Sequence, residues 1–180
     1  QFMDHLKKMS IDIKNIIDNH IDTTKALLNE IKSIEKICSL ALETLKNGNT
    51  ILLCGNGGSA SDSIHISSEI VGKFEKERKA LPSISLTTNP SHLTAIANDF
   101  GFENIFSRQI EAIGKKGDLL IAISTSGNSK NIIKAIETAQ SKNLNVIIFT
   151  GKDGGKMNQF NCLFLKVPSN NVARIQENHI

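Results

Sequence analysis

Five short apolar runs, separated by stretches of helical periodicity, constrain the fold of this chain. The runs are rich in Leu and β-branched residues and occupy positions 51–54, 83–86, 119–123, 145–149 and 163–167. They are continuous rather than alternating, which is typical of strands buried on both faces of a parallel sheet. Helical patterns separate them, most clearly over 129–142, and strand–helix alternation is typical of α/β proteins. The sequence therefore predicts a doubly wound α/β core over 50–168, with a parallel sheet of about five strands.

Two helices are predicted ahead of the first strand. From 22 to 46 apolar residues recur every three or four positions, and a weaker pattern containing Ile13, Ile16 and Ile17 precedes them. The Asn-Gly-Asn turn at 47–49 is typical of a helix end, because Asn and Gly tolerate the left-handed conformation. We expect one domain over 1–180, in which helices over 1–48 pack on the core or on another subunit and a C-terminal helix starts at 172.

Composition narrows the class of protein. A chain that is 39% hydrophobic and 22% charged is typical of a globular protein, and no apolar stretch approaches the roughly 18 residues needed to span a bilayer. The net charge is only +3 and Trp and Tyr are absent, whereas nucleic-acid grooves combine basic stripes with stacking aromatics. The first fifteen residues lack a signal-peptide core, and Cys38, Cys54 and Cys162 lie far apart in apolar contexts. We expect a cytoplasmic protein with buried, reduced thiols that binds neither nucleic acid nor membrane.

A glycine-rich loop, GNGGSA at 55–60, follows the first predicted strand. It satisfies the G-x-G-x-x-A dinucleotide fingerprint. That fingerprint also needs an acidic residue at the end of the next strand to hold the ribose, and the next strand ends in LTTNPS. No lysine follows as it would in a P-loop. The loop therefore favours a ligand smaller than a nucleotide.

A second loop gathers hydroxyl side chains where the third predicted strand ends. Ser124, Thr125, Ser126 and Ser129 lie within six residues. Hydroxyls and backbone N–H groups at a helix N-terminus form a neutral anion cradle. A single serine N-cap in a polar turn is the simpler interpretation, but a cap explains only one of the four hydroxyls. The pattern indicates a phosphate site.

Titratable groups occur near these loops. His65 and Glu69 are spaced i, i+4 on one helix face. Such a pair can bind Zn²⁺, or the carboxylate can transfer protons, although an exposed polar pair is the alternative. By itself, Asp99 is typical of a helix end, and Gln176, in the helical ARIQENHI stretch, is a polar group facing solvent or substrate.

Taken together, these motifs resemble the sugar isomerase (SIS) domain family, and within it the phosphoheptose isomerases. The similarity covers nearly the whole chain and is sharpest in CGNGGSASDSIHISSEI, ANDFGFENIFSRQ, AISTSGNS, TGKDGGKM and ARIQE. The resemblance implies a three-layer αβα sandwich with a five-stranded parallel sheet, assembled as a homotetramer with active sites between subunits. It also implies isomerisation of sedoheptulose 7-phosphate to D-glycero-D-manno-heptose 7-phosphate through an enediol, the first step toward the heptose of bacterial lipopolysaccharide or capsule.

The resemblance also implies a role for individual positions. Phosphate binding would fall on Ser124, Thr125, Ser126 and Ser129. Other substrate contacts would come from Asn56, Gly57, Gly58, Ser59, Glu69, Asn98, Asp99 and Gln176. Zinc ligands would be His65, Glu69 and Gln176, and Glu69 would also be the catalytic base. Beyond what the resemblance implies, we expect Asp99 to assist ring opening.

One position of the family pattern falls outside the printed residues. The family's fourth ligand and second catalytic group is a histidine eight residues after the glutamine, which would be position 184. The sequence ends at Ile180, so we expect the C-terminal helix to be cut short. His179 matches a family histidine that has neither role.

Two other functions share this fold. One is a non-catalytic SIS protein that binds the replication initiator; such a relative also keeps equivalents of His65 and Glu69, whereas Asp62 matches the isomerases better. The other is a sugar-phosphate sensor, which usually carries a fused DNA-binding domain.

Overall fold

A computed structural model describes residues 12–180. Any part of the predicted helices before residue 12 lies outside the described residues. Helices α1 (Ile13–Ala26) and α2 (Ile31–Lys46) lead to strand β1 (Ile51–Cys54) and helix α3 (Gly58–Val71). Strand β2 (Ser83–Ser85), helix α4 (Pro90–Phe100) and helix α5 (Ser107–Ile113) follow. The remaining elements are β3 (Leu119–Ile123), α6 (Lys130–Ser141), β4 (Asn145–Gly151), β5 (Leu163–Val167) and α7 (Val172–Glu177).

All five strands are parallel, in the order β2-β1-β3-β4-β5. The chain moves outward from β1 to β2, then returns past β1 to β3 and continues to β4 and β5. The strand order therefore reverses between β1 and β3. In open parallel sheets ligands bind in the crevice at that point, outside the carboxyl ends of the strands. Here the crevice lies between the loop at 55–57 and the loop at 124–129.

Two apolar clusters cover the two faces of the sheet, which confirms the three-layer sandwich. On one face Leu52, Leu120 and Ile148 pack against α5 and α6 through Ile110 and Ile136. On the other face Leu53, Ile121 and Ile147 pack against α2 and α3 through Ile37 and Ile66. Because α3 and α6 lie on opposite faces, their N-termini approach the crevice from its two sides.

The central strands have the burial that their sequences predict. Every residue of β1 and β3 is buried. The prediction of burial on both faces is wrong for the two edge strands: Ile84 of β2 is 44% exposed, and three of the five residues of β5 are only half-buried. In β2 the side chain of Ile84 points to the face opposite the buried Ser83 and Ser85, so this strand is fully covered on one face only.

Three further expectations from sequence need correction. The helix predicted over 22–46 is interrupted by a 3-10 turn, Leu27–Glu30, that separates α1 from α2. The C-terminal helix predicted over 172–180 ends at Glu177. All three cysteines are free thiols, but of the three predicted to be buried Cys38 is exposed and Cys162 is half-buried. The expected helix end at 47–49 is present, with Gly48 at φ 78°.

Candidate active site

The four hydroxyl residues form one cluster at the carboxyl end of β3. Ser124 is buried, and its Oγ lies 3.1 Å from Oγ of Ser129. Ser129 occupies the N-cap position of α6, yet its side chain makes no capping hydrogen bond. The simple N-cap interpretation therefore does not account for this serine. Thr125 is half-buried and Ser126 is exposed, so the cluster, which we call the phosphate cradle (124–129), opens to solvent with uncharged donors.

The loop that follows β4 supports the cradle from behind. Met157 N–H donates to Gly127 O at 3.1 Å, and Lys156 N–H donates to Asn128 Oδ1 at 3.0 Å. Gly127 has φ +64°, and a Cβ at this position would lie 2.1 Å from Gly154 O. The two loops are therefore in contact through their backbones. A pocket of about 280 Å³ opens between them, lined in part by Thr125, Ser126 and Lys152.

The glycine-rich loop turns directly from β1 into α3. Gly57 has φ +56°, a conformation that glycine adopts without the steric cost it imposes on other residues. At Gly58, the first residue of α3, a Cβ would lie 2.0 Å from Gln176 Nε2. The amide of Gln176 thus rests on the start of α3. Ser59, the next residue, is buried.

Asn56 in this loop pairs with a residue that sequence reasoning missed. Its Nδ2 donates to Asn131 Oδ1 at 2.9 Å, and Asn131 Nδ2 donates to Asn56 Oδ1 at 2.8 Å. Asn131 lies in the first turn of α6 and is buried. The two amides therefore connect the glycine-rich loop to the phosphate cradle across the crevice.

His65 and Glu69 lie side by side on α3, as their spacing predicts. Nε2 of His65 is 3.7 Å from Oε1 of Glu69, and both side chains are about half exposed. They line a pocket together with Arg78, His179 and other residues. His179 is buried, and its Nε2 lies 3.2 Å from Thr150 O. Burial lowers the pKa of His179 to about 4, with the bond to Thr150 opposing the change. His179 is therefore neutral at pH 7.

The donor set for zinc is present only in part within the described residues. An imidazole nitrogen and a carboxylate oxygen are ordinary zinc ligands, and His65 and Glu69 provide one of each. Gln176, the third predicted ligand, rests on Gly58, about two helical turns before His65 on α3. Among residues 12–180, no three His, Cys, Asp or Glu side chains come close enough together to hold a metal ion.

Asp62 is a further acidic group on α3. It is buried, and its Oδ2 has no hydrogen-bond partner among residues 12–180. Burial raises the pKa of its carboxyl group, and the nearby His65 opposes the change. Asp62 lies one turn before His65, so the helix face that carries the zinc candidates also carries this carboxyl group.

Asn98 and Asp99 do not join these groups within one chain. They lie near the C-terminal end of α4, both exposed, and Asn98 Nδ2 donates to Asp99 Oδ1 at 2.7 Å. Asp99 lines a separate groove with His92 and Arg108. Within one chain, Asn98 and Asp99 are therefore exposed on a surface separate from the phosphate cradle.

Helix α7, which carries Gln176, is attached to α1 by polar contacts. Arg174 is buried and donates to Ile16 O at 2.7 Å and to Glu177. The other carboxylate oxygen of Glu177 lies 2.8 Å from Nδ1 of His20. These contacts fix α7 against the N-terminal helix, and so fix the position of Gln176.

The fold defines a class, a doubly wound α/β domain in which two loops of small polar residues face each other across the switch point of the sheet. The family model described as SIS domain matches residues 17–151. A phosphoheptose isomerase of Aliarcobacter butzleri is 51% identical over 93% of this chain and 89% of its own. The chain belongs to the phosphoheptose isomerase family of SIS-domain proteins.

Solved structures agree with this assignment. Phosphoheptose isomerase from Neisseria gonorrhoeae matches with a TM-score of 0.87 and 40% identity, over 93% of this chain and 90% of that one. The enzyme from Francisella tularensis matches with a TM-score of 0.89 and 38% identity over the same shares. These comparisons confirm the fold, the family and the enzyme class that the motifs predicted. Within residues 12–180, none of the helices has the length and apolar character required to cross a membrane.

Proposed function

We propose that this protein isomerises sedoheptulose 7-phosphate to D-glycero-D-manno-heptose 7-phosphate, the first step of bacterial heptose biosynthesis. Membership of the phosphoheptose isomerase family supports the reaction. The observation that carries the mechanism is the position of the cradle. A cluster of uncharged donors lies at the switch point, facing the loop that begins α3, the helix that bears Glu69.

The cradle would anchor the end of the substrate that does not react. Ser124 and Ser129 are already in contact, so their hydroxyls need little reorganisation to donate to phosphate oxygens. The N-terminus of α6 adds a favourable dipole for an anion. Binding energy gained at the phosphate then positions the reacting carbons.

Glu69 would transfer the proton between the two carbons. Its carboxylate takes a proton from carbon 1 of the open-chain ketose, and the electrons of that C–H bond form the double bond of an enediol. Returning a proton to carbon 2 completes the exchange, while the hydroxyl proton passes from one oxygen to the other. Glu69 is half exposed on α3, so a bound substrate can reach it.

Zinc is part of this proposal. His65 and Glu69 would contribute an imidazole nitrogen and a carboxylate oxygen, with Gln176 as the remaining candidate on this chain. A bound zinc ion would polarise the substrate carbonyl and stabilise the oxyanion that develops on it. Zinc content measured after purification, and again for His65→Ala, tests this assignment independently of turnover. We expect zinc in the parent protein and at least tenfold weaker binding in the variant.

Self-association as a homotetramer is also proposed. Helix α1 buries none of its own residues, and Ile13, for example, is 65% exposed. An apolar helix face of this kind is typical of a subunit interface. A tetramer would also let Asn98 and Asp99 of one subunit face the crevice of another. Light scattering of the purified protein measures the oligomeric state directly.

A cytoplasmic location is proposed as well. The three free thiols support it, because thiols stay reduced in the cytoplasm.

The function is tested by incubating the protein with sedoheptulose 7-phosphate and following the aldose product by NMR. Two variants then separate the roles. Glu69→Gln should abolish turnover and leave substrate binding within about threefold of the parent. Ser124→Ala combined with Ser126→Ala should instead weaken binding by about tenfold or more, since each hydrogen bond to a charged group contributes roughly 1.5–3 kcal/mol. Absence of product with or without added zinc would refute the proposal.

A further inference from the structure

The two asparagine amides across the crevice form a closed pair. Each amide donates one N–H to the other and accepts one in return, at 2.9 and 2.8 Å. An amide group has two N–H donors and two acceptor lone pairs. The pair therefore leaves one N–H and one lone pair on Asn56 for a ligand, and it fixes the direction in which they point.

The partner in this pair is held rigidly. Asn131 is 2% exposed, and its Oδ1 also accepts from Ile132 N–H at 3.0 Å. Its side chain is thus fixed by the first turn of α6, two residues after Ser129 of the phosphate cradle. Asn56, by contrast, lies in a loop and is only half-buried. Because Asn131 is buried and has a further hydrogen bond, whereas Asn56 is half-buried at the crevice, we expect Asn131 to constrain the orientation of the Asn56 amide.

The location of the pair gives it a consequence for the reaction. It joins the loop after β1 to the helix after β3, the two elements that border the switch-point crevice. In the proposed function the phosphate end of the substrate binds beside α6 and the sugar end beside the glycine-rich loop. The asparagine pair therefore sets the distance and the angle between the glycine-rich loop and the phosphate cradle.

We propose that Asn131 is a positioning residue, which orients Asn56 and holds the glycine-rich loop at a fixed distance from the phosphate cradle. This inference rests on the proposed function, because it assumes that substrate spans the crevice. It concerns a residue that would not itself contact substrate. With the phosphate still anchored, loss of the pair would misplace the reacting carbons. Misplacement of about 1 Å lowers rates on the order of a hundredfold.

The test compares Asn131→Ala, Asn131→Asp, Asn56→Ala and the double alanine variant. We expect Asn131→Ala and Asn131→Asp to lower kcat ten- to a hundredfold, the aspartate because a carboxylate cannot donate to Asn56 Oδ1. Inhibition by inorganic phosphate should change by less than about threefold. The double variant should be no slower than Asn56→Ala alone, because Asn131 acts through Asn56. Asn145→Ala, a matched change of an exposed asparagine at the amino end of β4, should keep the parent kcat.

Three results would overturn the proposal. One is a kcat for Asn131→Ala within twofold of the parent. Another is a double variant whose losses multiply, which would show that Asn131 acts without Asn56. The last is a loss of kcat matched by loss of folded protein in thermal unfolding, which would make the role purely structural. An inactive parent protein would instead refute the proposed function, so the two failures are distinguishable.

Discussion

Replacement of Gly127 by alanine is the perturbation that most sharply tests how the cradle is built. Gly127 has φ +64°, and an added Cβ would lie 2.1 Å from Gly154 O. A left-handed backbone costs other residues roughly 1–2 kcal/mol. Close carbon–oxygen contacts are about 3.3 Å at shortest, so the two backbones must separate by roughly 1.2 Å. Since the contact is between two backbones, no side-chain rotation can relieve it.

The predicted consequence is a distorted cradle in a folded protein. We expect kcat/KM for sedoheptulose 7-phosphate to fall on the order of a hundredfold, with phosphate inhibition weakened in parallel. Urea denaturation should show an unfolding free energy lower by about 1–3 kcal/mol.

Gly48→Ala is the matched control for this change. Gly48 lies at the end of α2 with φ +78°, and in the described part of the chain no atom lies within 4 Å of the added Cβ. Gly48→Ala should therefore lower the unfolding free energy by the cost of the left-handed backbone alone, and it should keep the parent activity. The reasoning fails if Gly127→Ala retains both the KM and the phosphate inhibition of the parent.

Two other changes test neighbouring parts of the account. Gly58→Ala should keep or slightly raise the unfolding free energy, since alanine favours a helix. It should nevertheless lower kcat/KM at least tenfold, because its Cβ would displace the Gln176 amide, 2.0 Å away. Unchanged turnover would show that this position of Gln176 is not needed. Burial lowers the pKa of His179 from 6.5 to about 4, so below pH 6.5 the unfolded chain takes up a proton that the folded chain does not. The unfolding free energy should therefore fall by up to about 3 kcal/mol from pH 7 to pH 4, as denaturation at each pH measures, and His179→Gln should remove that part of the pH dependence; an equal dependence in the variant would contradict the assignment.

Much of the fold could be predicted because the residue composition of the strands indicates how far they are buried. The runs at 51–54, 119–123 and 163–167 match β1, β3 and β5 residue for residue. The continuous apolar character of β1 and β3 follows from cover on both faces of the sheet, whereas β5, an edge strand, contains Lys166 and is only partly buried. The 3-10 turn at Leu27–Glu30 could not be predicted, because the apolar spacing continues through it. The exposure of Ile84 depends on strand order, which local sequence does not encode.

The site was predictable where its residues are neighbours in sequence. The hydroxyl cluster and the pair of His65 and Glu69 each arise from one short segment, and the structure brings each together. Asn131 was missed because its partner lies 75 residues away, and an asparagine in a helical stretch has many simpler explanations. Its signal in the sequence was its position two residues after the cradle. Asn98 and Asp99 lie apart from the cradle within one chain. Their predicted contact with substrate therefore depends on the assembly of subunits, which the sequence of one chain does not describe.

The most direct measurement is a crystal structure of the Glu69→Gln variant with sedoheptulose 7-phosphate bound. The account predicts the phosphate group among the hydroxyls of 124–129, with carbons 1 and 2 beside residue 69. Phosphate bound at any other surface, or reacting carbons remote from residue 69, would contradict it.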